Sequence, residues 1–250
     1  NIFGNTSDMR QVSWGKTHAW SVEGNNVYTC EQPCVGDWVL FSGGASAYAS
    51  TLGGEPDILQ LGSSDEGFGH NVSVSQIGEK RKQYEANPNV SKVEVGETTV
   101  WGVNDRGVIF KAPSDGNGKW SWVPGPSTIM IAAGDNVVWR LKDDGRRNCL
   151  FKSDDSGKKW VVMRKYCHGD SRSLTYISAY MKFFYGVDTE GNIIIMDSRR
   201  YSRDADEAEA DHIITNDKGL HAIAVSANDR FIWMLDTTRH AHYCRLPCSG

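Results

Sequence analysis

Short apolar runs recur along the chain, separated by Gly, Asn, Asp and Pro. The clearest stretch lies between Val93 and Phe110. Val93-Glu94-Val95 alternates apolar and polar residues, Gly96 interrupts, and Val100-Trp101-Gly102-Val103 forms a second run. Asn104-Asp105-Arg106-Gly107 is a polar turn, and Val108-Ile109-Phe110 opens a third run. Such runs, bounded by turn residues, predict strands. Lys119-Trp120-Ser121-Trp122-Val123 predicts a fourth, stopped by Pro124-Gly125.

The same unit recurs. The first copy holds Gly15, Trp20-Ser21-Val22, Val27-Tyr28 and Trp38-Val39-Leu40; a weaker second holds Gly62, Phe68-Gly69-His70 and Val72-Ser73-Val74. The fourth holds Gly134, Trp139-Arg140-Leu141, Leu150-Phe151-Lys152 and Trp160-Val161-Val162. The fifth holds Phe184 to Asp188 and Glu190 to Ile194, and the sixth Ala222 to Ser226 and Phe231 to Met234. With Val22, His70, Val103, Leu141, Val187 and Val225 taken as equivalent, the spacings are 48, 33, 38, 46 and 38 residues. That period suits one four-stranded blade, and the whole chain, 1–250, reads as one six-bladed β-propeller domain. Between the paired apolar positions sits a small residue, Ser21, Gly69, Gly102, Gly186 or Ala224, as close face-to-face packing of blades requires. Arg140 breaks that column. The segment 204–211 is rich in Ala, Asp and Glu and reads as an exposed acidic loop or a short turn of helix.

Composition narrows the class. The net charge is −4, which gives nucleic acid no basic face; the one basic cluster, Glu79-Lys80-Arg81-Lys82, reads as a solvated loop. No apolar run approaches the ~20 residues of a membrane span. Sequons at Asn5, Asn71 and Asn89, with an even six cysteines, point to a secreted chain in an oxidising compartment. The start at Asn1 fits a processed form. The sequence carries no Gly-x-Ser-x-Gly elbow, phosphate loop or His-Glu-x-x-His, so neither enzyme nor cofactor chemistry is indicated. Ser153-x-Asp155-x-Gly157-x-x-Trp160 fits the Asp-box hairpin, a fold marker. Sialidases carry such boxes, but Arg199-Arg200-Tyr201 matches their site in residue type alone.

The segment Gly96 to Phe110, with Trp101-Gly102-Val103-Asn104, Gly107 and Ile109-Phe110, resembles the tectonin repeat, and Trp122-Val123-Pro124-Gly125 resembles its closing strand. The resemblance implies a six-bladed propeller lectin that recognises sugars or bacterial lipopolysaccharide. A secreted, cysteine-bearing chain of this kind is also similar to the lectin subunits of snail-egg perivitellin toxins, which implies a disulfide-linked pore-forming partner chain.

Sugar recognition needs flat apolar rings flanked by polar groups. Trp101 with Asn104, Asp105 and Arg106 is one candidate; Trp120, Trp139 and Trp160, each near charged turns, are others. A Trp recurring in one column is also what a core requires, and Asn104 and Asp188 also suit turn entry. His240-x-His242-x-Cys244-x3-Cys248 has zinc-ligand types, but an oxidising compartment favours disulfides there. In a closed propeller a bridge from Cys30 or Cys34 to Cys244 or Cys248 would join the first and last blades; the local pairs Cys30–Cys34 and Cys244–Cys248 compete with it. The hairpin at Gly157 places Cys149 opposite a residue near 162, leaving its pairing with Cys167 open. Either sulfur could instead reach another chain.

Overall fold

The computed structural model describes residues 11–14, 17–23, 26–31, 38–42, 89–125, 127–143, 148–153, 157–167, 173–200, 212–214, 221–228, 230–246 and 248. The second copy at 62–74, the basic cluster at 79–82, the acidic segment at 204–211, Cys34, Asn5, Asn71 and Asp155 lie outside them. Among the described residues no helix is long and apolar enough to cross a membrane.

The chain divides into two compact units, Asn1–Thr128 and Ile129–Gly250. The first holds two antiparallel sheets: β1 (Gln11–Trp14), β2 (His18–Glu23), β3 (Asn26–Glu31) and β4 (Val39–Ser42), then β5 (Val90–Val95), β6 (Thr99–Asn104), β7 (Ile109–Pro113) and β8 (Ser121–Val123). The second holds β9 (Met130–Ala133), β10 (Val138–Asp143), β11 (Asn148–Ser153) and β12 (Val161–Val162); β13 (Leu174–Tyr180), β14 (Phe183–Asp188), β15 (Ile193–Asp197) and β16 (His212–Ile214); and a three-stranded sheet, β17 (Ala222–Ala227), β18 (Phe231–Asp236) and β19 (Ala241–Arg245). In each sheet, strands lie side by side in chain order. The described residues thus form five blades where six were expected.

Each sheet buries the rows that the apolar pattern marks. In the first unit Trp20, Val22, Val93, Val100, Phe110 and Trp120 share one core. The Trp20, Phe41 and Trp120 rings meet edge to face within it, at centroid distances of 4.8 to 6.5 Å. In the second unit Trp139, Leu141 and Leu150 pack on Leu174, Ile177 and Phe184 of the next sheet, and Tyr185 and Val187 pack on Val225 and Ile232. Such burial drives folding at about 25 cal/mol per Å² of apolar surface. Polar ties join the same sheets. Buried Lys152 donates Nζ–H to the Ser198 carbonyl at 2.7 Å, and Asn148 Nδ2 donates to the Leu174 carbonyl at 2.8 Å.

One hairpin recurs between the second and third strands. Oδ1 of Asn104 accepts the N–H groups of Arg106 and Val108, at 3.0 and 2.9 Å. Asp188 Oδ1 accepts those of Glu190 and Asn192, at 2.9 and 2.8 Å. Asp236 Oδ1 accepts those of Thr238 and His240, at 2.8 and 2.9 Å. The fourth residue of each turn has positive φ: Gly107 at 75°, Gly191 at 79° and Arg239 at 65°. Each first strand also bulges alike, between Val90 and Lys92, Leu174 and Tyr176, and Ala222 and Ala224.

These matches correct the sixth copy. Leu235, ahead of Asp236, stands where Val103 stands ahead of Asn104 and Val187 ahead of Asp188; Val225 lies one strand earlier, in β17. The aromatic column therefore runs Trp20, Trp101, Trp139, Tyr185 and Trp233, and the small-residue column Ser21, Gly102, Arg140, Gly186 and Met234.

The cysteines settle between the expected alternatives. Cys244 pairs with Cys248, so neither is bridged to the first sheet, and the blade-joining bridge is replaced by the local pair. Cys149 pairs with Cys167. Register places Phe151 opposite Val162, and a single 3₁₀ turn, Arg164–Tyr166, then swings the chain back to bring Cys167 to Cys149.

Candidate functional site

Three of the four tryptophans expected to stack on sugars are core residues. Trp101, Trp120 and Trp139 are each at most 4% exposed. Trp139 packs on Phe184 at 4.7 Å between centroids, so its face is already taken. The Asn104 carboxamide oxygen caps its own turn, while Asp105 is exposed and Arg106 half-buried. These groups do not frame a sugar-sized ring face. Asn89 is half-buried with φ 46°, and its enclosed Oδ1 meets no donor. His242 Nε2 lies 2.9 Å from Asp236 Oδ2 and His240 Nδ1 2.7 Å from the Thr238 hydroxyl; with both cysteines bridged, the zinc reading loses its thiolates. Arg199 is tied to Asp197 by two side-chain hydrogen bonds, at 3.1 and 2.7 Å, which hold that carboxyl well below the usual range.

The open rings lie on the last sheet. Phe231 and Trp233 alternate onto one face of β18, and Tyr243 stands opposite Trp233 on β19. Trp233 is 44% exposed and Tyr243 65%. The three rings touch, with centroids 5.1 Å apart for Trp233–Tyr243, 5.6 Å for Phe231–Tyr243 and 6.2 Å for Phe231–Trp233. Polar groups border them. Ser226 lies opposite Trp233 on β17, and Arg245 opposite Phe231 on β19; both are exposed. Asn228 holds the strand-entry turn by accepting the Arg230 and Phe231 N–H groups at 2.8 Å. The opposite face, with Ile232 and Cys244, faces the core.

The sequence could have shown part of this. Phe231-Ile232-Trp233-Met234-Leu235 is apolar on both faces, as in a strand covered on both sides. Yet β17 and β19 carry Ser226 and Arg245 on the Trp233 face. An apolar face of this kind left in solvent marks an interaction surface.

Trp160, the fourth candidate, belongs to a different arrangement. Arg140 is 2% exposed, and its guanidinium carbon lies 4.2 Å from the Trp160 ring centroid and 4.7 Å from that of Phe151. Its Nε and Nη1 and the Trp160 Nε1 are enclosed and meet no acceptor among the described residues. Burial alone pushes the Arg140 pKa down to about 9, so the group stays cationic at neutral pH. Each ring contributes about 0.5–2 kcal/mol to holding a cation. An unsatisfied buried donor costs about 1–3 kcal/mol, and more when charged. The Ser153 hydroxyl accepts the Gly157 N–H at 3.1 Å, three residues ahead of Trp160.

No family model matches the chain, and no curated protein matches it. Solved structures do. YCF48 bound to D1 peptide is similar at 12% identity over 96% of this chain and 64% of that one, with a TM-score of 0.50. Human WBSCR16 is similar at 10% identity over 94% and 61%, with a TM-score of 0.55. Prp20p from Saccharomyces cerevisiae is similar at 9% identity over 95% and 57%, with a TM-score of 0.53. The chain thus spans about three fifths of the length of these structures. At such identity the likeness carries the architecture: the chain has an all-β, β-propeller fold built of antiparallel, mostly four-stranded blades.

Proposed function

We propose that this propeller is a secreted carbohydrate-binding protein, acting by recognition rather than catalysis, with the Phe231–Trp233–Tyr243 face as its sugar platform. The observation that carries this reading is the pair of open rings, Trp233 and Tyr243, bordered by Ser226 and Arg245. Sugar C–H faces stack on such rings while hydroxyls bond to the polar border. The tectonin-like segment supports the same reading, and glycans or lipopolysaccharide are the ligands it implies. The two internal bridges fit an oxidising compartment. Cys149, Cys167, Cys244 and Cys248 are bridged within the chain, which leaves none of those four sulfurs for a partner chain.

A second reading, a propeller that binds protein, rests on the column itself. Trp233 occupies the position that is core in Trp101 and Trp139, a surface suited to being covered by another protein surface. The similar structures named for a bound D1 peptide, and for binding Gsp1p and histones, accord with it.

A glycan-array screen of the purified chain, with Trp233→Ala and Tyr243→Ala beside it, separates the two. Binding that falls at least tenfold in either variant supports the platform. Binding unchanged in both moves the site elsewhere. An array silent for the wild-type chain overturns the carbohydrate reading and leaves the protein-binding one.

A further inference from the structure

The open face of the last sheet carries a charge as well as rings. Arg245 stands directly opposite Phe231 across the β18–β19 pair, and Tyr243, opposite Trp233, lies two residues before it on β19. Paired residues of an antiparallel sheet point to the same side, and so do residues two apart on one strand. Arg245 therefore rises on the side of the three rings, and it is exposed. Two residues of strand span about 7 Å. A long side chain rooted there reaches the edge of a molecule resting on the Trp233 and Tyr243 rings.

The same alternation clears this face of opposing charge. The strands β17, β18 and β19 hold one acidic residue among them, Asp236. It falls on the other side, with Ile232 and Met234, and is 5% exposed. The Thr238 hydroxyl at 2.7 Å and the His242 ring at 2.9 Å engage its carboxylate there. The rings thus meet a cation with no carboxylate of these strands beside it. Phe183 offers a contrast: Lys182 Nζ lies 4.8 Å from its ring centroid, but Asp197 stands 3.5 Å from the same ammonium.

We infer that the platform selects sugars that bear a carboxylate, such as uronic acids, with Arg245 as the specificity-determining residue. The inference rests on the carbohydrate reading of this face. The pyranose ring stacks on Trp233 and Tyr243, and its carboxylate takes two parallel N–H bonds from the planar guanidinium. One guanidinium balances the single charge of a carboxylate, whereas a phosphate ester with a charge of about −1.5 to −2 would keep an excess. An arginine on an outer strand also discourages edge pairing; that role alone would leave sugar preference untouched.

The test is biolayer interferometry of the full chain on albumin carrying glucose, glucuronate, galactose or galacturonate through one linker, at low and at moderate sodium chloride. An acidic member should bind about tenfold tighter than its neutral counterpart, and the margin should narrow in the higher salt, which screens an exposed charge. Arg245→Gln should erase the preference with an unchanged thermal midpoint, Arg245→Lys should keep part of it, and Trp233→Ala should weaken acidic and neutral members alike. Equal wild-type binding of acidic and neutral members, or a preference that survives Arg245→Gln, would overturn the inference; the platform itself still stands where Trp233→Ala weakens binding. Silence on all four conjugates overturns it too, and the carbohydrate reading falls with it when the glycan array is silent as well.

Discussion

The sheets β5–β8 and β9–β12 answer one packing question in opposite ways. Both place a Trp just ahead of the fourth strand, Trp120 and Trp160, and in both that ring covers a residue of the second strand. Under Trp120 lies Gly102, where an added Cβ would stand 2.8 Å from a Val90 methyl and 3.2 Å from the Trp120 ring. The indole sinks into the core as a result. Under Trp160 lies Arg140, whose guanidinium carbon stands 4.2 Å from the ring centroid, and Trp160 as a residue is half-buried. The same strand order and the same ring thus yield a dry core in one sheet and a charged, donor-rich layer in the other. One column position decides which.

The largest test of this contrast is truncation of the two rings. Trp120→Ala should cost about 3–5 kcal/mol, as for a buried aromatic. Trp160→Ala should cost about 1–2 kcal/mol, because less apolar surface is withdrawn from water. Urea unfolding of both variants checks this, and equal losses would erase the distinction between the sheets. Next comes the residue beneath. Gly102→Ala should cost about 1–3 kcal/mol by overpacking against Val90. Arg140→Met should stay within about 1 kcal/mol of wild type, since a buried cation adds little. A loss well beyond that would mean the guanidinium already has its counter-charge.

Acid gives the smallest effect and compares two hairpins. The Asn104 turn is held by a neutral amide and the Asp236 turn by a carboxylate. The Thr238 hydroxyl, then His242 and the His240 and Thr238 amides, hold Asp236 below the usual carboxylate range. A depressed pKa contributes stability that is complete above the unfolded value of about 4 and is lost as pH falls through the folded one. Amide exchange at Thr238 and His240 should therefore quicken below about pH 4 relative to that at Arg106 and Val108. Parallel behaviour of the two turns would contradict this assignment.

Much of the architecture was legible because local chemistry and packing agreed. Val93 to Phe110 and Lys119 to Val123 became the four strands β5–β8, with Gly107 at the positive φ its turn requires. The last copy misled because its turn lacks that glycine. Arg239 takes the left-handed conformation at a cost of roughly 1–2 kcal/mol, and without a Gly signal the sequence points to Val225, in β17, as the second-strand residue. The rings were harder to read. Trp101, Trp139 and Trp233 share one column, and no residue beside them says which face is covered; that depends on residues far along the chain. Arg140 was visible as an irregularity, but its burial between the Phe151 and Trp160 rings is a property of three-dimensional space. The disulfide at Cys149 turned on a 3₁₀ turn that the hairpin spacing does not encode.

The Gly191 turn has one more consequence. Its carbonyl accepts the Ala222 N–H at 3.2 Å, and a Cβ on Gly191 would stand 2.8 Å from the His221 Cα, so this joint between successive sheets is main chain against main chain. Such a joint asks for a glycine at its centre, and the His221 ring adds one tie across it, with Nδ1 2.9 Å from the Glu190 carbonyl oxygen. A seam held mainly by backbone groups asks little of side chains away from it. An architecture assembled through seams like this can stay recognisable in shape to proteins that share 9 to 12% of its residues.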